Sequence, residues 1–266
     1  MGIAVQAIIK GVKTSFRKNV KKFINPVLRF LGLKIFRFRP HLPRFPVEAS
    51  EEDIKLMENC LRYSMTNPIR MWALLTAIRY VEKNHIAGDF VECGVWKGGC
   101  LALMAKAQSG ALKRKIFGFD TFSGMTDPSI FDVDIFLGRQ VTVDDIKEVE
   151  KKYSYPGMSE VKKNLVDLDC SSDVRLIQGD VGSTLKNKKN LPSKISLLRL
   201  DTDFYESTKV ELEVLFPLLS DGGILIIDDY GHYEGARKAV DEYFTGKNYL
   251  LHYVDYTCRL VVKNAV

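Results

Sequence analysis

Residues 89–107 read DFVECGVWKGGCLALMAKA, and the fold follows from how that stretch changes character. DFVECGV (89–95) has the aromatic and β-branched content of a short buried strand. Gly94, Gly98 and Gly99 then allow a tight turn and close backbone approach. CLALMAKA continues as a helix. A strand feeding a helix through a glycine-rich loop is the opening of a parallel βαβ unit.

The same alternation continues downstream. KIFGFD (115–120), VRLIQGD (174–180), ISLLRLD (195–201) and GGILIIDD (222–229) are short β-rich runs separated by helical stretches. Right-handed crossovers then give a parallel sheet covered on both faces. The end differs. YLLHYV (249–254) and CRLVVK (258–263) are separated by only three residues. A parallel crossover needs a dozen or more, so these two strands are expected to run antiparallel. The expectation is an α/β, Rossmann-like fold: a mostly parallel seven-stranded sheet with one antiparallel strand and helices on both faces. Upstream, residues 51–66 and 68–84 read as two helices, with Asn67 capping the second and Pro68 at its first position.

Charge divides the chain into an arm at 1–47 and a domain at 48–266, with Pro43 and Pro46 marking the join. The arm carries eleven Lys and Arg and no Asp or Glu. The remainder holds 28 of the 39 basic residues against all 33 acidic ones, a net of −5 within the overall +6. Ile8, Ile9, Val12, Phe16, Val20 and Phe23 recur at three- and four-residue steps with lysines and arginines between them, the outline of a cationic amphipathic helix. Peripheral membrane contact through residues 1–40, packing on the domain or a second subunit, and phosphate binding are the open readings. No apolar run approaches the ~20 residues of a membrane span, and charges interrupt what a secretory signal needs. Five cysteines without a C-x-x-C pair read as reduced thiols of a cytoplasmic protein rather than a disulfide frame or zinc site. A homodimer is the default assembly.

Ligands of an open α/β sheet collect beyond the carboxyl ends of its strands. The segment Glu92, Cys93, Gly94, Val95, Gly98, Gly99 forms the first such end. Amides at the following helix start favour a carboxylate or phosphate, but Glu92 would repel a phosphate and attract an ammonium. The spacing is not G-x-G-x-x-G, which counts against a nicotinamide dinucleotide. The plainer alternative is a glycine-rich turn with Trp96 in the core. At the next end, Asp120 is placed for ribose hydroxyls, and Ser123 adds a hydroxyl. Asp180 either accepts from an exocyclic amine of a base or caps the helix that follows.

LRLDTDFYES supplies Asp201 and Asp203, and LIIDDYG supplies Asp228 and Asp229 from a strand expected next door. Either these carboxylates stand in water at strand termini, or they hold a cation, since buried carboxylates need positive compensation. An all-oxygen set suits Mg²⁺.

With these blocks in order, the sequence resembles the macrocin O-methyltransferase family, whose members methylate sugar hydroxyls in tylosin, mycinamicin and novobiocin biosynthesis. DFVECGVWKGG, FGFDTFSGM, LRLDTDFYEST and GGILIIDDYGHYEGARKAVDEYF carry the resemblance, which covers roughly residues 50–263. It implies a class I methyltransferase fold, S-adenosylmethionine and Mg²⁺ as cofactors, and a sugar or glycosylated small molecule as hydroxyl acceptor. By position it implies Asp201, Asp228 and Asp229 as metal ligands and Asp203 as general base. The Glu92-to-Gly99 segment would hold the methionine part of the cofactor, Asp120 and Ser123 its ribose, and Asp180 would lie near adenine. A sugar hydroxyl is too weak an acid to ionise unaided at neutral pH, so a cation and a carboxylate together suit the chemistry. Residues 124–170 are expected to cover the acceptor pocket.

Competing readings remain. DTD is also the D-x-D of metal-dependent glycosyltransferases, which would leave Glu92 and the glycine loop without a role. A nucleic-acid methyltransferase suits the basic arm but lacks the Asn/Asp-Pro-Pro-Tyr motif, so no nucleic acid is expected. A non-catalytic, membrane-associated scaffold is the third.

Overall fold

The computed structural model describes residues 44–264 apart from 109, 111, 113, 171 and 172. The amphipathic pattern read between Ile8 and Phe23 lies outside the described residues. Phe45, assigned above to the arm, is 6% exposed and packs into the core. The packed domain thus begins before position 48, because an aromatic ring between two prolines still has an apolar face to bury.

Two helices come first. α1 (Glu51–Leu61) starts at a capping box of Ser50 and Asp53, and α2 (Pro68–Lys83) at Asn67, whose side chain accepts from the amides of Ile69 and Arg70. There follow β1 (Asp89–Cys93), α3 (Gly99–Ala107), β2 (Ile116–Asp120), a small hairpin of β3 (Val133–Asp134) and β4 (Arg139–Gln140), α4 (Val143–Tyr153), α5 (Met158–Asp167) and β5 (Val174–Gln178). The chain finishes with the short α6 (Val181–Thr184), β6 (Ile195–Leu200), α7 (Tyr205–Leu215), β7 (Leu219–Ile227), α8 (Glu234–Phe244), β8 (His252–Tyr253) and β9 (Arg259–Val262).

The main sheet has seven strands in the order β5-β2-β1-β6-β7-β9-β8. β5, β2, β1, β6 and β7 pair in parallel, while β9 runs antiparallel to both β7 and β8. Two apolar clusters cover its faces. Phe90, Leu197, Ile224 and Ile226 face α1, α2, α3 and α5, whereas Val91, Leu198, Leu225 and Ile227 face α6, α7 and α8. The alternation is the period of two of a strand buried on both sides. The run read as 249–254 contracts to β8, a two-residue edge strand with Tyr253 exposed. Among the described residues no helix is long and apolar enough to cross a membrane.

Strand order reverses at β1, whose neighbours β2 and β6 lead off in opposite directions. The crevice beyond the carboxyl ends of β1 and β6 is therefore the switch point where such sheets hold ligands.

Candidate active site

Register assembles the charged groups at that crevice. Glu92 of β1 lies beside Arg199 of β6, and Arg199 beside Ile226 of β7. Alternate residues share a face, so Glu92, Arg199, Asp201 and Asp228 all turn toward the side covered by α1–α3. Arg199 is 3% exposed. Its Nη1 sits 2.8 Å from Glu92 Oε1 and 2.7 Å from Asp201 Oδ2, and its Nη2 lies 3.2 Å from Asp228 Oδ1. Arg70, in the first turn of α2, donates to Asp228 Oδ2, and its Nε lies 3.3 Å from Asp255 Oδ2. Asn67 Nδ2 also donates to Asp255, at 2.7 Å. The cap that starts α2 thus fixes the arginine that steadies Asp228.

Two guanidinium groups do not balance this much negative charge. Burial pushes Glu92 up to about 8 against the pull of Arg199. Burial likewise raises Asp201 to about 7, Arg199 opposing and Asp228 adding to the rise. Asp203 and Asp229 are driven well above the carboxylate range by burial and neighbouring aspartates. Burial also acts upward on Asp228, but Arg199 and Arg70 together hold it below its ordinary value.

One oxygen from each of Asp201, Asp228 and Asp229 lies within 4.8 Å of the others. Asp228 Oδ1 is buried and has no hydrogen-bond partner among the described residues, since the approach of Arg199 lacks the alignment of a bond. Three convergent carboxylates, one of which has an orphaned oxygen, fit a hard divalent ion of the Mg²⁺ kind.

Asp203 stands apart from that trio. Its amide donates to Asp229 Oδ2 at 3.2 Å. Its φ is +68°, and Phe204 N donates to Thr202 O at 2.8 Å across it. This is a γ-turn of the rarer form, strained by on the order of 1–3 kcal/mol in a residue with a side chain.

A cavity opens beside the acidic group. Glu92, Gly94, Val95, Asp120, Asp180, Asp201 and Asp203 line it. Gly94 has φ +83°, and a Cβ there would stand 1.9 Å from the backbone oxygen of Asp201. Only glycine lets β1 and β6 close together at this point. Among the described residues Glu92 Oε2 is buried without a hydrogen-bond partner, an acceptor that suits an ammonium. Asp120 ties the loop down: Oδ2 accepts from the amides of Val95 and Trp96 at 2.7 and 3.0 Å, and Oδ1 from Phe122 at 2.7 Å. Asp180 lines the cavity and makes no side-chain cap bond to α6, its carboxylate lying beside Gly182 in the first turn of that helix.

Other predicted residues sit elsewhere. Ser123 is exposed and not part of the cavity wall, which Thr121 forms instead. Cys93 turns to the opposite sheet face, near Glu211. Gly98 and Gly99 do not line the cavity. Gly99 lets the α1 end approach α3, since a Cβ there would meet Cys60 O at 2.4 Å.

Residues 124–170 form the β3–β4 hairpin, α4 and α5. Gly124, Met125, Thr126 and Tyr155 from this segment reach the cavity wall. Asn164 Nδ2 donates to Lys97 O at 3.1 Å, fastening α5 to the glycine loop. Sequence reasoning missed α4, although Thr142 and Asp145 form a capping box at its start. It also passed over Arg199 and Arg70. The lone charge in the apolar run ISLLRL was the available signal for Arg199.

Residues 44–260 match the family described as macrocin-O-methyltransferase (TylF). A demethyldecarbamoylnovobiocin O-methyltransferase of Streptomyces niveus is 31% identical over 191 residues, 68% of this chain and 67% of that protein. A mycinamicin III 3''-O-methyltransferase of Micromonospora griseorubida is 27% identical over 231 residues, 84% of this chain and 88% of that one. Among solved structures, the O-methyltransferase NovP superposes with a TM-score of 0.64 at 27% identity, covering 76% of this chain and 83% of its own. The calicheamicin methyltransferase CalS11 shares the fold, with a TM-score of 0.52 at 19% identity over 86% of this chain and 99% of its own.

Proposed function

The chain belongs to the macrocin O-methyltransferase family, and from that premise we propose that it methylates a hydroxyl of a sugar or glycosylated small molecule, using S-adenosylmethionine and Mg²⁺. Membership makes it an O-methyltransferase, a transferase rather than a D-x-D glycosyltransferase or an inert scaffold. The sugar acceptor is argued from the relatives: a novobiocin precursor and mycinamicin III are named as their substrates, and a tetracenomycin enzyme of Streptomyces olivaceus, 31% identical over 184 residues, acts on a rhamnosyl unit.

The observation that carries the mechanism is the convergence of Asp201, Asp228 and Asp229 within 4.8 Å beside a cavity walled by Glu92, Gly94 and Asp120. S-adenosylmethionine supplies an electrophilic methyl group on a sulfonium, and Mg²⁺ in the aspartate cluster supplies a charge that eases ionisation of the acceptor hydroxyl. The protein does the remainder. Glu92 offers its free oxygen to the ammonium of the methionine part. Asp120 keeps the Val95–Trp96 turn in place, and that turn shapes the wall. Asp180 is available to an amine of the base. Arg199 and Arg70 orient Asp201 and Asp228, so that their remaining charge is aimed rather than diffuse. Asp203, outside the trio yet next to it, would be ionised once a cation in the cluster offsets the neighbouring aspartates, and then takes the proton from the acceptor oxygen. Transfer then needs alignment of oxygen, methyl carbon and sulfur, a task of positioning.

Calorimetry with S-adenosylhomocysteine and with UDP, each with and without Mg²⁺, tests the reading. S-adenosylhomocysteine should bind and UDP should not, and Asp228→Ala should abolish the Mg²⁺ heat. On an acceptor found by screening glycosides for S-adenosylhomocysteine release, Asp203→Asn should retain Mg²⁺ binding and lose at least about 10²-fold in kcat. Near-wild-type turnover of Asp203→Asn would require another base.

A further inference from the structure

Asp203 occupies a strained turn, and something must hold it there. The clamp lies behind it, on the sheet face opposite the metal trio. Thr202 points away from Asp201 and Asp203 toward α7, where its Oγ1 lies 3.0 and 3.1 Å from the two oxygens of Glu211. Glu211 is 0% exposed. Among the described residues no Lys, Arg or His forms an ion pair with it; its polar neighbours are the Thr202 hydroxyl and the Cys93 thiol. Burying a carboxyl group without a cation is unfavourable, and Leu212 and Leu215 beside it show that an apolar residue suits this face. The acceptor oxygens are what an apolar replacement would lack.

The same threonine also carries the closure of the turn. Its carbonyl accepts from Phe204 N at 2.8 Å and from Ser207 Oγ at 3.1 Å. Thr202 is therefore gripped at both its side chain and its carbonyl, and Asp203 has little choice but the positive φ between those points. On the other side, the Asp203 amide meets Asp229 Oδ2. The turn thus spans two environments, the Glu211 face and the metal face.

We propose that Thr202 and Glu211 are a positioning pair for the reaction: the buried Glu211 carboxyl anchors the Thr202 hydroxyl, and this anchor fixes the turn that aims Asp203 at the acceptor oxygen. Glu211 lies outside the cavity wall, and Thr202, although it borders the cavity, gives its hydroxyl to Glu211. The proposal rests on the reading of Asp203 as the proton acceptor, but its anchor can be measured without that reading.

The test uses the full chain with three substitutions. Thr202→Val keeps the branched shape and removes the hydroxyl, Thr202→Ser keeps the hydroxyl, and Glu211→Gln keeps an acceptor oxygen without a carboxylate. Residue-resolved amide exchange reports the Phe204 N–H that closes the turn. Exchange there should be about tenfold faster in Thr202→Val and close to wild type in Thr202→Ser and Glu211→Gln, since a lost net hydrogen bond is worth about this factor. Affinity for S-adenosylhomocysteine should stay within about threefold in all three. With the acceptor in hand, Thr202→Val should lower kcat by about 10²-fold with little change in KM, the cost of a misplaced catalytic group, and Thr202→Ser should restore it. Unchanged Phe204 exchange in Thr202→Val, or Thr202→Ser as fast as Thr202→Val, overturns the anchor. Faster exchange with undiminished kcat overturns its role in the reaction. If Asp203→Asn proves fully active while exchange behaves as expected, the base assignment fails and the anchor survives.

Discussion

Replacing Arg199 by Met should destabilise the domain by about 3–5 kcal/mol, the cost of leaving buried charge uncompensated. Arg199 serves three carboxylates whose side chains are unequally shielded: Glu92 is 1%, Asp228 3% and Asp201 31% exposed. Water screens Asp201, so most of the loss comes from Glu92 and Asp228. Arg70 still supports Asp228 in the variant, which leaves Glu92 as the group most exposed to the change. For a domain of this size, about 2–4 °C of melting temperature per kcal/mol gives a fall of roughly 6–20 °C. The assay is thermal denaturation near pH 9, above the value of about 8 to which burial raises Glu92, so that its carboxylate is ionised in the native chain, followed by calorimetry or circular dichroism. A second variant sharpens it. Glu92→Gln together with Arg199→Met removes the orphaned charge with its partner, so the double variant should be more stable than Arg199→Met alone, a clear departure from additivity. A melting temperature within 2 °C of wild type, or a double variant less stable than the single one, would refute the view that Arg199 holds this network together electrostatically.

Two other expectations concern regions away from the cavity. Asp53 caps α1 and pairs with Arg79, which holds its carboxyl below the ordinary range. A depressed folded value means the contribution is present above the unfolded carboxylate pKa and is lost as pH falls through the folded one. Asp53→Asn should therefore cost about 1 kcal/mol at pH 6, discounted because Arg79 is half exposed, with the gap to wild type closing in acid; a gap that is constant in pH down to acid unfolding would contradict this. The five cysteines are buried, and burial pushes the Cys60 thiol up to about 12 and raises the other four as well. Raised thiols stay protonated at pH 8, so Ellman's reagent should find no fast-reacting group in the native chain and all five in denaturant. One thiol reacting within seconds would show a surface that opens.

Much of the fold was legible because its signals are local. β1, β2, β5 and β6 fall within the apolar runs read as strands, β7 overlaps its run but starts three residues earlier, at Leu219, and Asn67 and Pro68 mark the start of α2. The antiparallel end followed from a three-residue connection, too short for a crossover. The hairpin and α4–α5 were not read, since 124–170 has mixed polarity and α4 buries only Ile146. Its capping box was the one available local cue.

By itself, the sequence determined the order of the main-sheet strands, the glycine loop, and which acidic residues close which strands. These depend on periodicity, turn chemistry and capping, which act over a few residues. Tertiary structure decided who faces whom. Glu92 and Arg199 are 107 positions apart and meet because register places them side by side. Arg70 reaches Asp228 only because α2 packs over β6 and β7 in the middle of the sheet. Thr202 turns to Glu211 while its two neighbours turn to the face that carries the acidic cluster. Charge compensation acts through space, so pairing in the buried crevice depends on register and packing that no local window contains.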